Sequence, residues 1–169
     1  YNELKEELIS KGVKFKSNTD TEVACAYVNY VYETEKDKLR ALIKATDAFR
    51  GSYAFGILFE DEPGTIYATR KDSPLIIGVT ENDENFIASD VSAILEFTNK
   101  YVLLEYGEFA RITKDDVEIF NHELLKIEPK INVANWSAAE YEKDGFDHFM
   151  LKEINEQPKV IKNIYNNLI

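Results

Sequence analysis

The sequence predicts an α+β domain whose helices, at both ends of the chain, cover antiparallel sheet in a layered α/β/β/α arrangement. Three observations predict it. Apolar residues recur at helical spacing over roughly the first fifty positions, at strand spacing over about the next eighty, and at helical spacing again from His148. The strands are numerous enough for two sheets packed face to face, with helices on their outer faces.

The first helix is read in the opening ten residues, with Asn2 as N-cap, Glu3 in the first turn, Leu4, Leu8 and Ile9 apolar, and Gly12 just past the end. An extended piece, Val13 to Phe15, leads into a polar loop and a second helix with Val23, Ala24, Tyr27 and Val31 along one side. A third is expected from about Lys36 to Phe49, striped by Leu39, Leu42, Ile43, Thr46 and Phe49. From Gly51 the strands come as hairpins. Residues 51–60 and 65–70 flank Pro63-Gly64, a pair suited to a reversal with positive φ at the glycine. Residues 75–79 and 85–89 flank a polar turn, and a short helix capped by Asp90 follows. Four more strand-like runs lie between Tyr101 and Glu128, joined closely enough for antiparallel pairing. Residues 130–147, with Trp136, read as a loop crossing the surface. Two helical segments then follow, with Pro158 as first residue of the second.

At 169 residues the chain fits one domain, long enough to bury about two thirds of its unfolded surface. The 44% hydrophobic and 12% aromatic content supplies a core, which excludes disorder. The net charge is −11 and the twenty basic residues are scattered, so neither nucleic acid nor an anionic membrane is an expected partner. No apolar run approaches the roughly 18 residues that span a bilayer. A single cysteine allows no internal disulfide, and a cytoplasmic compartment is the expectation. The chain opens at Tyr1, already helical, which reads as a trimmed start, and its helical ending reads as the beginning of a continuation.

Local chemistry is sparse. Cys25 lies between two alanines inside a helix, with no histidine near it, and reads as a small hydrophobe of the core. His122 and His148 stand apart, without metal-ligand spacing, and the seven glycines form no phosphate loop. The segment Ser17-Asn18-Thr19-Asp20-Thr21-Glu22 stands out. Thr19 or Asp20 can cap the second helix, and Glu22 suits the positive end of its dipole. A carboxylate held at such a helix start can also bind a ligand ammonium group, and the two roles are compatible.

Six motifs in order, Tyr1-Asn2-Glu3-Leu4-Lys5, Thr19-Asp20-Thr21-Glu22-Val23, Gly51-Ser52-Tyr53-Ala54-Phe55-Gly56, Ser73-Pro74-Leu75-Ile76-Ile77-Gly78, Glu84-Asn85-Phe86-Ile87-Ala88-Ser89-Asp90 and His148-Phe149-Met150-Leu151-Lys152-Glu153-Ile154, carry a resemblance. Together they closely resemble the glutaminase (type 2 amidotransferase) domain of the glutamine–fructose-6-phosphate aminotransferases, the glucosamine-6-phosphate synthases, from Tyr1 to about Leu168. The resemblance implies an incomplete N-terminal nucleophile hydrolase fold of two antiparallel sheets between helical layers. It also implies an enzyme that hydrolyses glutamine with an N-terminal cysteine whose own α-amine is the base. The ammonia then passes to a second domain that converts fructose 6-phosphate to glucosamine 6-phosphate. No metal or nucleotide cofactor is implied.

Carried over by position, the resemblance assigns only Asp20, as the group that binds the α-ammonium of glutamine. The cysteine, the arginine-tryptophan loop and the asparagine-glycine oxyanion donors of that family fall upstream of Tyr1. No catalytic residue and no metal ligand is therefore assigned here, and these 169 residues alone are expected to be inactive. The resemblance divides the chain into 1–147, the distal part of the amidotransferase domain, and 148–169, helices leading toward a linker to downstream domains that would bind fructose 6-phosphate. It implies a homo-oligomeric parent. Because the upstream segment supplies strands to the centre of both sheets in that family, exposed strand edges and self-association are expected of this piece alone. The alternative is a non-catalytic binding or regulatory module of the same fold.

Overall fold

In the computed structural model, which describes residues 1–135 and 145–168, the helical spacing at the start of the chain becomes three helices. Helix α1, Asn2–Ser10, begins at the residue expected to cap it. Tyr1 occupies the cap position without a side-chain bond, and Gly12 (φ 89°) reverses the chain beyond the far end. Leu8 is fully buried, whereas Ile9, about 100° further round, is exposed. Helix α2, Asp20–Glu35, ends at Lys36 in the left-handed conformation. Helix α3, Lys38–Asp47, starts two residues later than expected because Asp37 is its cap, accepting from the Arg40 amide at 2.8 Å.

Among the described residues nine strands make two antiparallel sheets. Strands β1 (Tyr53–Ile57), β2 (Ile66–Lys71), β6 (Phe109–Ile112), β7 (Val117–Phe120) and β8 (Lys126–Ile127) form one, in the order β1-β2-β6-β7-β8. The other, β4-β3-β5-β9, contains β3 (Ile76–Val79), β4 (Asn85–Ala88), β5 (Lys100–Leu103) and β9 (Ile131–Val133). Both expected hairpins are present, β1 with β2 and β3 with β4, and Gly64 has the positive φ (87°) required of it. Each sheet is hydrogen-bonded without a gap.

Three expectations need correction. Ile131–Val133 was read as surface loop but pairs with Val102, Tyr101 and Lys100. Three residues are too short a run for a period-2 signal, and the partner strand, not local pattern, creates the strand. The remainder of that loop, Trp136 included, lies outside the described residues. The helix expected after Asp90 is a single 3-10 turn, Val91–Ala93, capped as expected by Asp90 accepting from the Ser92 amide at 2.8 Å. Beyond it Ile94 turns onto Gly78, where a β-carbon would lie 2.8 Å from its Cδ1.

The strand alternation sorts two cores. Ile77, Val102 and Leu104 of one sheet meet Ala68, Ala110, Ile112 and Ile119 of the other. Val28, Leu42, Ile43 and Ala45 of α2 and α3 pack on Tyr67 and Phe109, on the outer face of the five-stranded sheet. Each fully buried aliphatic side chain stabilises by about 1.5–3 kcal/mol. Residues Tyr1–Ala134, one compact unit, thus stack as α/β/β.

The second unit, Asn135–Ile169, contains helix α4, Phe149–Leu168. This is the third correction, because Pro158 lies inside one continuous helix and does not begin a new one. Proline's fixed φ is itself helical, so what the helix loses is the bond to the Ile154 carbonyl. Pro158 is exposed, and there solvent can satisfy that carbonyl.

Candidate functional site

The Ser17–Glu22 loop is organised by two side chains, and neither is Asp20. Thr19 is the N-cap of α2, its hydroxyl accepting from the Glu22 amide at 3.3 Å. Glu22 reaches back past the cap and accepts from the amides of Lys16 (2.8 Å) and Ser17 (2.7 Å) and from the Ser17 hydroxyl. The Lys16 amide first, then the Ser17 hydroxyl, hold its carboxyl below the usual carboxylate range. Lys5 of α1 donates to the Ser17 carbonyl at 3.2 Å and to Asn18 Oδ1 at 3.1 Å, which moors the loop to the first helix.

Asp20 is left at the first position of α2, exposed, with Oδ1 accepting from the Thr21 amide at 2.8 Å. Its Oδ2 has no hydrogen-bond or ion-pair partner among the described residues.

Asp20 lines a cavity of about 600 Å³ walled by α1, the start of α2 and residues 47–55. The two sheets do not enclose it; its sheet wall is β1, the flank strand of the five-stranded sheet. Four carboxylates line it: Glu3, Glu7, Asp20 and Asp47. Three of them face a basic group of the protein. Glu3 pairs with Arg50 at 3.1 Å, Glu7 with Lys11 at 2.5 Å, and Asp47 lies 2.8 Å from His122, whose imidazole completes an ion pair when protonated. Asp20 alone faces none.

The wall also carries a cluster of aromatic rings. Tyr53 and Phe55 stack with centroids 4.9 Å apart, Phe49 stands edge-on to both at 5.8 Å, and Tyr27 is 6.1 Å from Phe49. Burial raises the Tyr27 and Tyr53 phenols above their ordinary value, so both hydroxyls stay protonated and can donate. An unmatched carboxylate on a cavity that aromatic rings also line fits a small molecule with an ammonium group and an apolar body.

Asp20 was the one site residue the sequence offered, and the structure puts it on this cavity. Cys25 is a correction. It is exposed on α2, not a core residue, and it does not line the cavity. The helix turns it away from the apolar stripe on which its neighbour Val23 is buried. Arg50, Asp47, Glu7 and the aromatic wall were not anticipated. They converge from positions up to 55 residues into the chain, and no local pattern marks them.

A model of the glutamine amidotransferase domain family matches residues 1–96. The chain belongs to that family. Among curated relatives of this amidotransferase domain, the glutamine–fructose-6-phosphate aminotransferase [isomerizing] of Clostridium tetani is 47% identical over all 169 residues, and that of Clostridium acetobutylicum 48%. The enzyme of the same name from Thermococcus kodakarensis is 43% identical over 162 residues. In each case the amidotransferase chain spans 27% of the relative's length. Among solved structures it is similar to the glutamine phosphoribosylpyrophosphate amidotransferase from B. subtilis complexed with ADP and GMP. The TM-score is 0.61 at 21% identity, over 74% of this chain and 27% of that one. That likeness shows the fold, α+β of the N-terminal nucleophile amidotransferase type. No helix among the described residues is long and apolar enough to cross a membrane.

Proposed function

We propose that the chain is the distal part of the glutaminase domain of a glutamine–fructose-6-phosphate aminotransferase, and that Asp20 binds the α-ammonium of glutamine there. The observation that carries the reading is the unmatched carboxylate. Of four acids on one cavity, Asp20 alone has no basic partner among the described residues, and a carboxylate without a partner gains most from an incoming cation. The family membership supplies glutamine as the cation-bearing ligand. The aminotransferase relatives, aligned over the whole chain, supply fructose 6-phosphate as the acceptor.

In this reading residues 1–147 belong to the amidotransferase domain and 148–169 lead toward a sugar-converting domain of the same polypeptide. The parent is a homo-oligomeric enzyme that works in the cytoplasm. Asp20 orients glutamine and takes no part in bond breaking, since a carboxylate that holds an ammonium is committed to that charge.

The test uses the full-length protein. Asp20→Ala should raise KM for glutamine about 10- to 100-fold, the loss expected when a hydrogen bond to a charged group is removed. Glucosamine 6-phosphate formation from fructose 6-phosphate and free ammonia should not change. An unaltered KM reduces Asp20 to a helix-end residue. A full-length protein that releases no glutamate from glutamine is a non-catalytic module of this fold.

A further inference from the structure

The cavity is lined by the start of α2 and by β1, and the connection that follows β1 contacts the far part of α2. Asp20 opens α2, and Tyr32 lies twelve residues, about 18 Å, further along the same helix. β1 supplies Tyr53 and Phe55 to the cavity and ends at Ile57, where the chain enters the eight-residue connection to β2.

That connection is tied down by two consecutive acids. Asp61 accepts from the Tyr32 hydroxyl at 2.8 Å and from Lys38 at 3.1 Å. Glu62 receives Lys38 (3.2 Å) and the Tyr67 hydroxyl (3.0 Å) on one oxygen, and Arg111 (3.1 Å) on the other. The ring of Phe59, in the same connection, stands edge-on to Tyr32 at 5.2 Å and to Tyr67 at 5.4 Å. Lys38 Nζ lies within 5.6 Å of the Tyr32 and Phe59 ring centres. Only 15% of the Lys38 side chain and 26% of that of Glu62 is exposed, so solvent screens this pair less than it does surface pairs, whereas Asp61 is 56% exposed.

β1 needs such an anchor. As a flank strand it is hydrogen-bonded on one side only, to β2. Its Tyr53 and Phe55 rings pack on Phe49, Gly56 abuts Ile87, and its far end is held by this connection.

We infer that Asp61 and Glu62, joined through Lys38, form a strap in which Asp61 reaches Tyr32 of α2 while Glu62 holds the connection to β2 and β6, and that this strap fixes the spacing between α2 and β1 and so the width of the cavity that Asp20, Tyr53 and Phe55 line. They are positioning residues, and their effect reaches a ligand only through those two elements. The strap stands on geometry alone. Its effect on glutamine rests on the function proposed above, and the two are tested by separate measurements.

The experiment compares Glu62→Gln and Asp61→Asn with Glu118→Gln in the full-length protein. Glu118 also pairs with Arg111, at 3.1 Å, but does not touch the connection, so its removal reports the general effect of losing an ion pair on this sheet face. Native-state hydrogen exchange should show the β1 amides losing protection tenfold or more in the strap variants, with β6 and β7 within twofold of the parent. Glu118→Gln should leave β1 within twofold. KM for glutamine should rise about fivefold in the strap variants with kcat within twofold, and Glu62→Asp should recover part of the loss. If Glu62→Gln does not fold, Asp61→Asn carries both readings. A uniform loss of protection across the sheet, or an unchanged β1, overturns the strap. Loosened β1 amides with an unchanged KM overturn its control of the cavity. Absence of glutamine turnover in the parent instead removes the proposed function, and the exchange data still decide the strap.

Discussion

Gly56 and Ile87 meet across the gap between the two sheets so closely that a β-carbon on the glycine would lie 2.4 Å from Ile87 Cδ1. Gly56 pairs with Ala68 in the five-stranded sheet and Ile87 with Ile77 in the four-stranded one, so this contact sits where the layers come together. The obstructing atom is the end of a side chain that can rotate. Gly56→Ala should therefore cost about 1 kcal/mol, and Gly56→Val up to about 3. Combining Gly56→Val with Ile87→Ala should recover more than half of that loss. Urea denaturation of the four corners of this double-mutant cycle measures the coupling, and additive losses would show that the two residues do not collide.

Ile77 is fully buried between the sheets, and Leu42 is fully buried between α3 and the outer sheet face. Replacing either by alanine should lower stability by about 2–5 kcal/mol. The two losses should add, because they lie in separate cores on opposite faces of the five-stranded sheet. Guanidinium unfolding midpoints of the single and double variants check both statements.

Glu22, Asp61, Glu62, Glu81 and Glu118 are all held below the usual carboxylate range. Their folded-state values lie below their unfolded ones, so the stability they contribute is complete above the unfolded value. It is lost as pH falls through the folded value. The urea midpoint should stay level from neutral pH down to about pH 5 and fall below that. Glu22→Gln combined with Glu118→Gln should flatten the acid limb. A fall of unchanged steepness would assign the limb to other groups.

Pro158 deprives the Ile154 carbonyl of its helical partner. Pro158→Ala supplies the missing amide, and protection in hydrogen exchange should rise at residues 156–160, with a gain in helical signal. The gain has an upper bound of about 3 kcal/mol. No change would mean that solvent already satisfies the Ile154 carbonyl.

Cys25 is exposed on α2. A thiol reagent should modify it in the native protein at nearly the rate seen in urea. Protection of tenfold or more would place the side chain under cover.

The hairpins were legible because their turns carry chemistry of their own: Pro63-Gly64 needs a reversal with positive φ, and Gly64 has one. The helices were legible from stripes such as Leu39, Leu42 and Ile43, all of which face the sheet. β9 was not, because Ile131–Val133 is a strand only by virtue of β5 beside it. Asp20 stands out in the sequence only through the resemblance carried by Thr19-Asp20-Thr21-Glu22-Val23, a contiguous segment. Its distinction from the other acids is not legible there. That depends on Glu3 meeting Arg50 across 47 positions and Asp47 meeting His122 across 75, and such pairings exist only after folding.

The helix-closing duty in the Ser17–Glu22 loop falls on Thr19 and Glu22, and this leaves position 20 under few folding constraints. A gene drifting at that codon could try asparagine, serine or glutamate without unravelling the helix behind it. Under the proposed function, ligand preference and fold are thereby inherited on separate letters of one six-residue segment, and a relative that took up a different small molecule could begin there.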